Sequence, residues 1–196
     1  MFDFVVKCRR TPVEPSRFLA SVGREAHVEF IPAMIVNALF VANGHRENSR
    51  LHLVFEQSTD FSRILTFDGR DLGDLGGLSE TMLLGACADA LSVGARLTKE
   101  AEARAASGII VRATSFEKWV QVLTTDTPGY LLDPRGVPIQ EMAPLARAVF
   151  ILTDQLALPK NTQKGLIRKG VTSLSLGTQM LFASQCISVL HSRLTH

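Results

Sequence analysis

Cysteine is scarce in this chain of 196 residues, and neither sign of charge is in large excess. The three cysteines, Cys8, Cys87 and Cys186, are odd in number, far apart, and lack the spacing of a metal or redox motif. This usage predicts a reduced, cytoplasmic setting. Lys and Arg together exceed Asp and Glu by two. That balance neither requires nor excludes a nucleic-acid partner, because a basic surface can lie within a near-neutral total.

Long apolar runs are also missing. No stretch approaches the roughly 18 residues that a membrane helix needs. The N-terminal MFDFVVKCRR lacks the basic-then-apolar order of a signal peptide. We therefore expect a soluble intracellular protein with no membrane segment. The length, the ordinary hydrophobic content and the lack of repeats or low-complexity linkers predict a single domain over residues 1–196.

Several signatures of enzyme classes are absent as well. Without a GxGxxG or Walker motif, a dinucleotide or ATP phosphate site has little support. No GxSxG or Cys/His nucleophile arrangement occurs. His27, His52 and His191 have no carboxylate or second histidine at ligand spacing, so no metal is expected.

Short apolar runs instead alternate with helical patterns along the chain. This alternation predicts an α/β fold, with a mostly parallel sheet covered by helices on both faces. Strands are predicted at 2–7, 51–55, 64–67, 109–111, 130–132, 148–152 and 172–176, and helices after Pro15 (capped by Ser16) and at 27–42, 80–93, 115–122, 161–169 and 178–194.

Three strand-end segments are the candidate ligand site. In open α/β sheets, ligands bind beyond the carboxyl ends of the strands. The segments are LLDPRG after Tyr130, LTDQLALP after Phe150 and SLGTQM after Ser173. They offer main-chain groups and apolar side chains but few lysines, which favours an adenine-bearing ligand without phosphate. Every α/β protein has such loops, so on this pattern alone the plain scaffold is favoured over a ligand site.

The same segments resemble a known family. FILTDQLALP (150–159) and SLSLGTQMLFASQC (173–186), with YLLDPRG ahead of them, are similar to the C-terminal signature of the archaeal tRNA pseudouridine N1-methyltransferases, which belong to the SPOUT class. VGRE near Gly23, VNALFVANGHR (36–46) and LTFDGRDLGDL (65–75) extend the match over nearly the whole chain. The resemblance is nearest to the bacterial branch of that family.

The resemblance implies a fold and an activity. It implies a C-terminal trefoil knot, which pattern reading alone would reject because knots are rare. It also implies a homodimer that transfers a methyl group from S-adenosylmethionine to N1 of pseudouridine in tRNA. The donor-site residues that it implies are Leu132, Thr153, Leu176, Gly177, Leu181 and Cys186. Leu132 and Cys186 would supply apolar or main-chain contacts. The family has glycine where this chain has Thr153, whose branched side chain narrows the approach of a ligand to the backbone.

The acceptor side is assigned from the chemistry of the base. N1 of pseudouridine loses a proton as it attacks, so a cation near the uracil oxygens would stabilise the developing charge. Arg24 and Arg46 are candidates for that role or for RNA phosphates, and His45 is a candidate RNA contact. Asp68 is a candidate proton acceptor, although Asp68-Gly69 is equally good turn chemistry. The archaeal pattern has an aspartate soon after Gly-Arg, whereas Gly23-Arg24 is followed here by Glu25.

Three alternatives remain open from the sequence. The protein could be a non-catalytic RNA-binding member of the same fold. It could be a plain α/β scaffold whose last helix forms a dimer face. It could also be a methyltransferase for another uridine-type base in tRNA or rRNA.

Overall fold

An eight-stranded sheet is the centre of the computed structural model, which describes residues 1–194. The strands are β1 Phe2–Pro12, β2 Phe40–Val41, β3 Gly44–His45, β4 Ser49–Gln57, β5 Arg63–Asp68, β6 Glu102–Arg104, β7 Ile110–Ala113, β8 Gly129–Pro138, β9 Ala148–Thr153 and β10 Thr172–Ser175. The α-helices are α1 Pro15–Leu19, α2 Ile31–Leu39, α3 Glu80–Val93, α4 Phe116–Leu123, α5 Lys160–Arg168 and α6 Ala183–Leu194. Strands β2 and β3 form a separate hairpin.

The strand order in the large sheet is β10-β8-β9-β1-β4-β5-β7-β6. The first five strands in this order are parallel, which confirms the predicted α/β fold with a mostly parallel sheet. The last three are antiparallel to their neighbours. Only residues 58–62 join β4 to β5, and so short a connection cannot make the crossover that a parallel pair needs.

Helices cover both faces of the sheet, because β1 buries apolar side chains on both of its faces. Phe4, Val6 and Cys8 lie in one core with residues of α2, α3 and α6. Val5, between them, lies in a second core with residues of α4 and α5. Because successive side chains of a strand point to opposite faces, one buried strand serves both cores. Within residues 1–194, no helix is long and apolar enough to cross a membrane.

Helix boundaries differ from the sequence prediction at three places. The predicted helix 27–42 begins as a 3₁₀ turn at Val28–Phe30 and ends at Leu39, where the chain enters the β2–β3 hairpin. Helix α1 is capped by the Glu14 carboxylate, which accepts from the Ser16 and Arg17 amides, and not by Ser16. The last helix begins at Ala183 instead of Thr178, because residues 176–182 form a loop. The predicted Ser115 cap of α4 is confirmed by its bond from the Lys118 amide.

Two strand predictions also need correction. The strand at Tyr130 does not stop at Asp133 but continues to Pro138. It pairs with β10 through Tyr130 and Leu131 and again through Val137 and Pro138, with a register shift between the two parts. The predictions also missed β6, because Glu102–Arg104 has no apolar alternation and is stabilised by pairing with β7.

Candidate functional site

A cavity of about 530 Å³ lies beside the middle of β8 and beyond the ends of β9 and β10. Its walls come from the segment after Leu131, the segment after Leu152, the loop before α6 and the first turns of α6. These are the three strand-end segments singled out from the sequence. All six residues predicted for the donor site line this cavity: Leu132, Thr153, Leu176, Gly177, Leu181 and Cys186.

Gly177 shapes the loop that follows β10. Its φ of 116° lies in a region that residues with a side chain rarely adopt, and no atom lies within 4 Å of the place where a β-carbon would stand. Its amide donates to Ser175 Oγ at 3.1 Å, and that hydroxyl donates to the Pro134 carbonyl at 3.0 Å. Of the main-chain groups that the strand-end segments were expected to offer, the Gly177 amide is therefore already bonded within the wall of the cavity.

Thr153 and Asp154 form the part of the wall that follows β9. Thr153, the last residue of the strand, is half-buried. The Asp154 amide donates to the Lys7 carbonyl at 3.2 Å, and the Asp154 carboxylate accepts from the Leu156 amide at 3.1 Å. Burial raises the pKa of this carboxyl. The sequence contained Asp154 in the quoted LTDQ motif, but its half-buried position became visible only in the folded chain.

The other carboxylate of the cavity wall, Asp133, has a cationic partner. Arg135 Nε donates to it at 3.2 Å and Gln163 donates to it at 2.7 Å. The Arg135 hydrogen bond is the largest cause of the lowered pKa of Asp133. Among residues 1–194, no Lys, Arg or His forms an ion pair with Asp154. The two carboxylates therefore differ: Asp133 has an ion-pair partner in the exposed Arg135, whereas Asp154 has none and is attracted only at longer range by Arg9.

Cys186 contributes a thiol to the cavity from α6. Burial raises its pKa to about 11, so the thiol stays protonated at neutral pH. A protonated thiol is a poor nucleophile and behaves as a small apolar group. The geometry therefore favours a contact role for Cys186, like that of Leu132 and Leu181.

The residues predicted to contact the RNA or the methyl-accepting base lie at opposite ends of the parallel strands. These two ends are called the two edges of the sheet below. Strand register places Ser49 beside Phe2 at one edge and Thr153 beside Lys7 at the other. His45, Arg46 and Asp68 lie at the Ser49 edge, away from the cavity. Arg24 lies exposed in the loop before α2, whose Phe30 contacts Phe182 of the cavity wall. Within one chain, the structure does not bring Arg24 together with Arg46 and Asp68.

Arg46 and Asp68 have local partners in this chain. Arg46 Nη1 donates to the Phe40 carbonyl at 2.6 Å and to the Asn37 carbonyl at 3.4 Å, at the end of α2. Burial lowers the pKa of this guanidinium. Asp68 accepts from the Arg70 amide at 3.0 Å, which is the turn chemistry considered from the sequence. Among residues 1–194, no group of three or more His, Cys, Asp or Glu could hold a metal ion.

The sheet and the cavity at its strand ends define a protein of the SPOUT fold. Archaeoglobus fulgidus Nep1 bound to S-adenosylhomocysteine matches the chain with a TM-score of 0.56, covering 98% of this chain and 95% of that one. The identity is 9%, so this likeness concerns the fold.

Sequence comparison assigns the family. A family model described as "Putative SAM-dependent RNA methyltransferase" matches residues 1–196. Relatives from Shewanella frigidimarina and Photobacterium profundum, both named "Putative pseudouridine methyltransferase", are 40% and 41% identical over 194 residues, 99% of this chain and 98% of each relative. The chain belongs to this family of S-adenosylmethionine-dependent RNA methyltransferases, which confirms the predicted enzyme class, methyl donor and RNA substrate.

Proposed function

We propose that the protein transfers a methyl group from S-adenosylmethionine, bound in the cavity between β8 and the ends of β9 and β10, to N1 of a pseudouridine in tRNA. The observation that carries the proposal is the convergence of six predicted donor-site residues, from separate parts of the sequence, around one cavity. Relatives covering the whole chain are named for pseudouridine methylation, which supports the choice of base.

The cavity suits the donor chemically. S-adenosylmethionine supplies an activated methyl group on a sulfonium, so the chain's task is to hold donor and acceptor in line. Leu132, Leu176 and Leu181 offer apolar surfaces for the adenosine moiety. Asp154 offers negative charge for the cationic part of the donor. Alignment of this kind can supply up to roughly 7–11 kcal/mol of a reaction barrier.

The proposed methyl transfer to the acceptor base balances in atoms and charge. In the proposed transfer the bond from sulfur to the methyl carbon would break, the bond from that carbon to N1 would form, and the N1 proton would pass to solvent. The donor becomes neutral S-adenosylhomocysteine. Arg24 is the acceptor-side candidate whose loop lies on the cavity side of the sheet. A cation there would favour the negative charge that develops on the uracil oxygens.

We further propose that the chain forms the trefoil knot of its class. Two observations support it. Strand β10 pairs with β8 on both sides of the segment 132–136, and Ser175 Oγ donates to the Pro134 carbonyl inside that segment.

The continuous eight-stranded sheet supports a single domain over residues 1–196. Homodimeric assembly and a cytoplasmic location complete the proposal.

The first experiment is calorimetry of the purified protein with S-adenosylmethionine. The expected result is one site per subunit and competition by S-adenosylhomocysteine. Absence of heat and of competition contradicts the proposal.

The second experiment is incubation of labelled donor with bulk tRNA from a strain that lacks the gene. Label transfer is expected, with N1-methylpseudouridine found by mass spectrometry of the nucleosides. Retention of tRNA without transfer would mean a non-catalytic RNA-binding protein. A different methylated nucleoside, in tRNA or rRNA, would replace the proposed acceptor.

A further inference from the structure

Three aromatic side chains form a continuous cluster at the mouth of the cavity. The ring centroids of Phe30 and Phe182 are 5.1 Å apart, and those of Phe30 and His27 are 5.7 Å apart. Phe182 lines the cavity, yet 55% of its surface is exposed. His27 lies at the exposed end of the cluster. The aromatic surface thus extends from solvent to the proposed methyl-donor site.

Backbone contacts hold this cluster in place. The Phe182 amide donates to Gln185 Oε1 at 2.9 Å, and the Phe182 carbonyl accepts from the Cys186 amide at 2.9 Å, so Phe182 is fixed at the start of α6. His27 adopts a φ of 49°, which is uncommon for a residue with a side chain, and its ring lies 3.2 Å from Glu29 Oε1. An exposed cluster of aromatic side chains on a hydrogen-bonded backbone is typical of a binding surface.

Three arginines lie around the cavity and the aromatic cluster. Arg9 Nη1 donates to the carbonyl of Ala157, a residue of the cavity wall, at 3.4 Å. Arg10, next in the chain, is 3.6 Å from a largely exposed Glu25 carboxylate, a contact worth little in water. The Arg24 carbonyl accepts from the His27 amide at 2.9 Å, which places exposed Arg24 beside the cluster. The surface therefore combines stacking faces with positive charge.

We propose that Phe182, Phe30 and His27 form the stacking platform for the acceptor nucleotide, with Arg9, Arg10 and Arg24 facing its neighbouring phosphates. This inference rests on the proposed function and adds the position of the substrate. Sequence-specific enzymes read single-stranded or flipped-out bases by stacking them on aromatic side chains, and arginines bind the phosphates beside them. An aromatic platform that leads into the donor cavity would bring a flipped uracil ring next to the methyl group.

The experiment compares two substitutions that separate stacking from bulk. Phe182→Leu keeps an apolar side chain and removes the ring, whereas Phe182→Trp keeps a stacking face. Phe61→Leu, at an exposed phenylalanine that does not line the cavity, is the matched control. Filter binding with bulk tRNA from a strain lacking the gene, and the KM for that tRNA, are measured together with the calorimetric affinity for S-adenosylmethionine.

The expected result is specific to RNA. Phe182→Leu should weaken tRNA binding and raise the KM by roughly 5- to 100-fold, the range that loss of one base–aromatic stack produces. Phe182→Trp and Phe61→Leu should keep tRNA affinity within about threefold of the wild type. Because Phe182 also lines the donor cavity, the loss of tRNA affinity in Phe182→Leu should exceed any loss of donor affinity. Unchanged tRNA affinity in Phe182→Leu overturns the inference, while a wild type that gives no heat with the donor contradicts the proposed function instead.

Two further readouts exclude other roles for the exposed ring. If Phe182→Leu turns a dimer into a monomer in analytical ultracentrifugation, the ring belongs to a contact between two copies of the chain, and the inference is wrong. Photocrosslinking of tRNA transcripts that contain 4-thiouridine should label peptides that contain Phe30 or Phe182. Crosslinks confined to the Arg46 edge of the sheet would also overturn it.

Discussion

Gly136 lies directly against the main chain of Leu174. A β-carbon at Gly136 would stand 2.5 Å from the Leu174 nitrogen and 2.6 Å from the Ser173 oxygen. The segment 132–136 of β8 therefore wraps closely against β10, and glycine is needed there for space. This contact brings the segment that carries Leu132 next to the strand that leads to Gly177.

Gly136→Ala should destabilise the fold. The added carbon would meet main-chain atoms, which cannot rotate away as a side chain can, and overpacking typically costs about 1–3 kcal/mol. Gly165→Ala in α5 is the control, because no atom lies within 4 Å of its added carbon and alanine favours a helix over glycine. Urea denaturation measures both free energies of unfolding. Equal stability of the two variants would mean that the close approach is absent in solution.

Gly177→Val should abolish donor binding and leave a folded protein. The new side chain would project into the open space beside Gly177, at the cavity wall. Gly170→Val shares the backbone cost, because Gly170 also has a positive φ and open space, but it lies before β10, away from the cavity. Calorimetry with S-adenosylmethionine should show loss of binding in the first variant alone. Equal affinities in both variants would place the donor elsewhere.

Asp154→Asn should weaken the binding of S-adenosylmethionine more than that of S-adenosylhomocysteine. At the proposed donor site, the half-buried carboxylate, which has no ion-pair partner, would attract the positive sulfonium, and the product lacks that charge. We expect the affinity ratio of donor to product to fall about threefold or more. Asp126→Asn, at an exposed site, is the control. The same loss for both ligands would show that Asp154 positions the loop without recognising charge.

Arg46→Met should lower stability and leave donor affinity intact. Its guanidinium bonds the Phe40 and Asn37 carbonyls at the end of α2, and losing such bonds at a partly exposed site costs about 1–2 kcal/mol. Arg24→Met, at an exposed site on the cavity side, should keep its stability but raise the KM for tRNA. Thermal unfolding and tRNA kinetics measure these effects. A raised KM in Arg46→Met with normal stability would return Arg46 to the RNA site.

Stability should fall as the pH is lowered from about 6.5 towards 4. Burial lowers the pKa of His52 and lowers that of His191 to about 4, below the value of about 6.5 for an unfolded histidine. In this range the unfolded chain binds more protons, so protonation favours unfolding. His191→Gln, which keeps a side-chain donor for the Ala38 carbonyl, should flatten this dependence. Urea denaturation at pH 8, 6.5 and 5 checks it; an identical slope in the variant would contradict the assignment.

Much of the fold could be predicted because its signals are local. The apolar run of β9 and the Ser115 cap of α4 depend on neighbours in sequence, and both appear as predicted. The extension of β8 through Gly136 does not, because its second pairing depends on β10, which is about 35 residues later and in a different register. A local pattern of Asp, Pro and Gly indicated a turn there, and long-range pairing overrode it.

By itself the sequence determined which three segments line the cavity, because each is a contiguous apolar run followed by a turn or loop. Only the tertiary structure decided which of the candidate residues lie together in space. It placed Phe30 against Phe182 and separated Arg24 from Arg46. The physical reason is that α2 returns the chain from one edge of a parallel sheet to the other, so residues close in sequence lie at opposite edges and distant ones share a cavity.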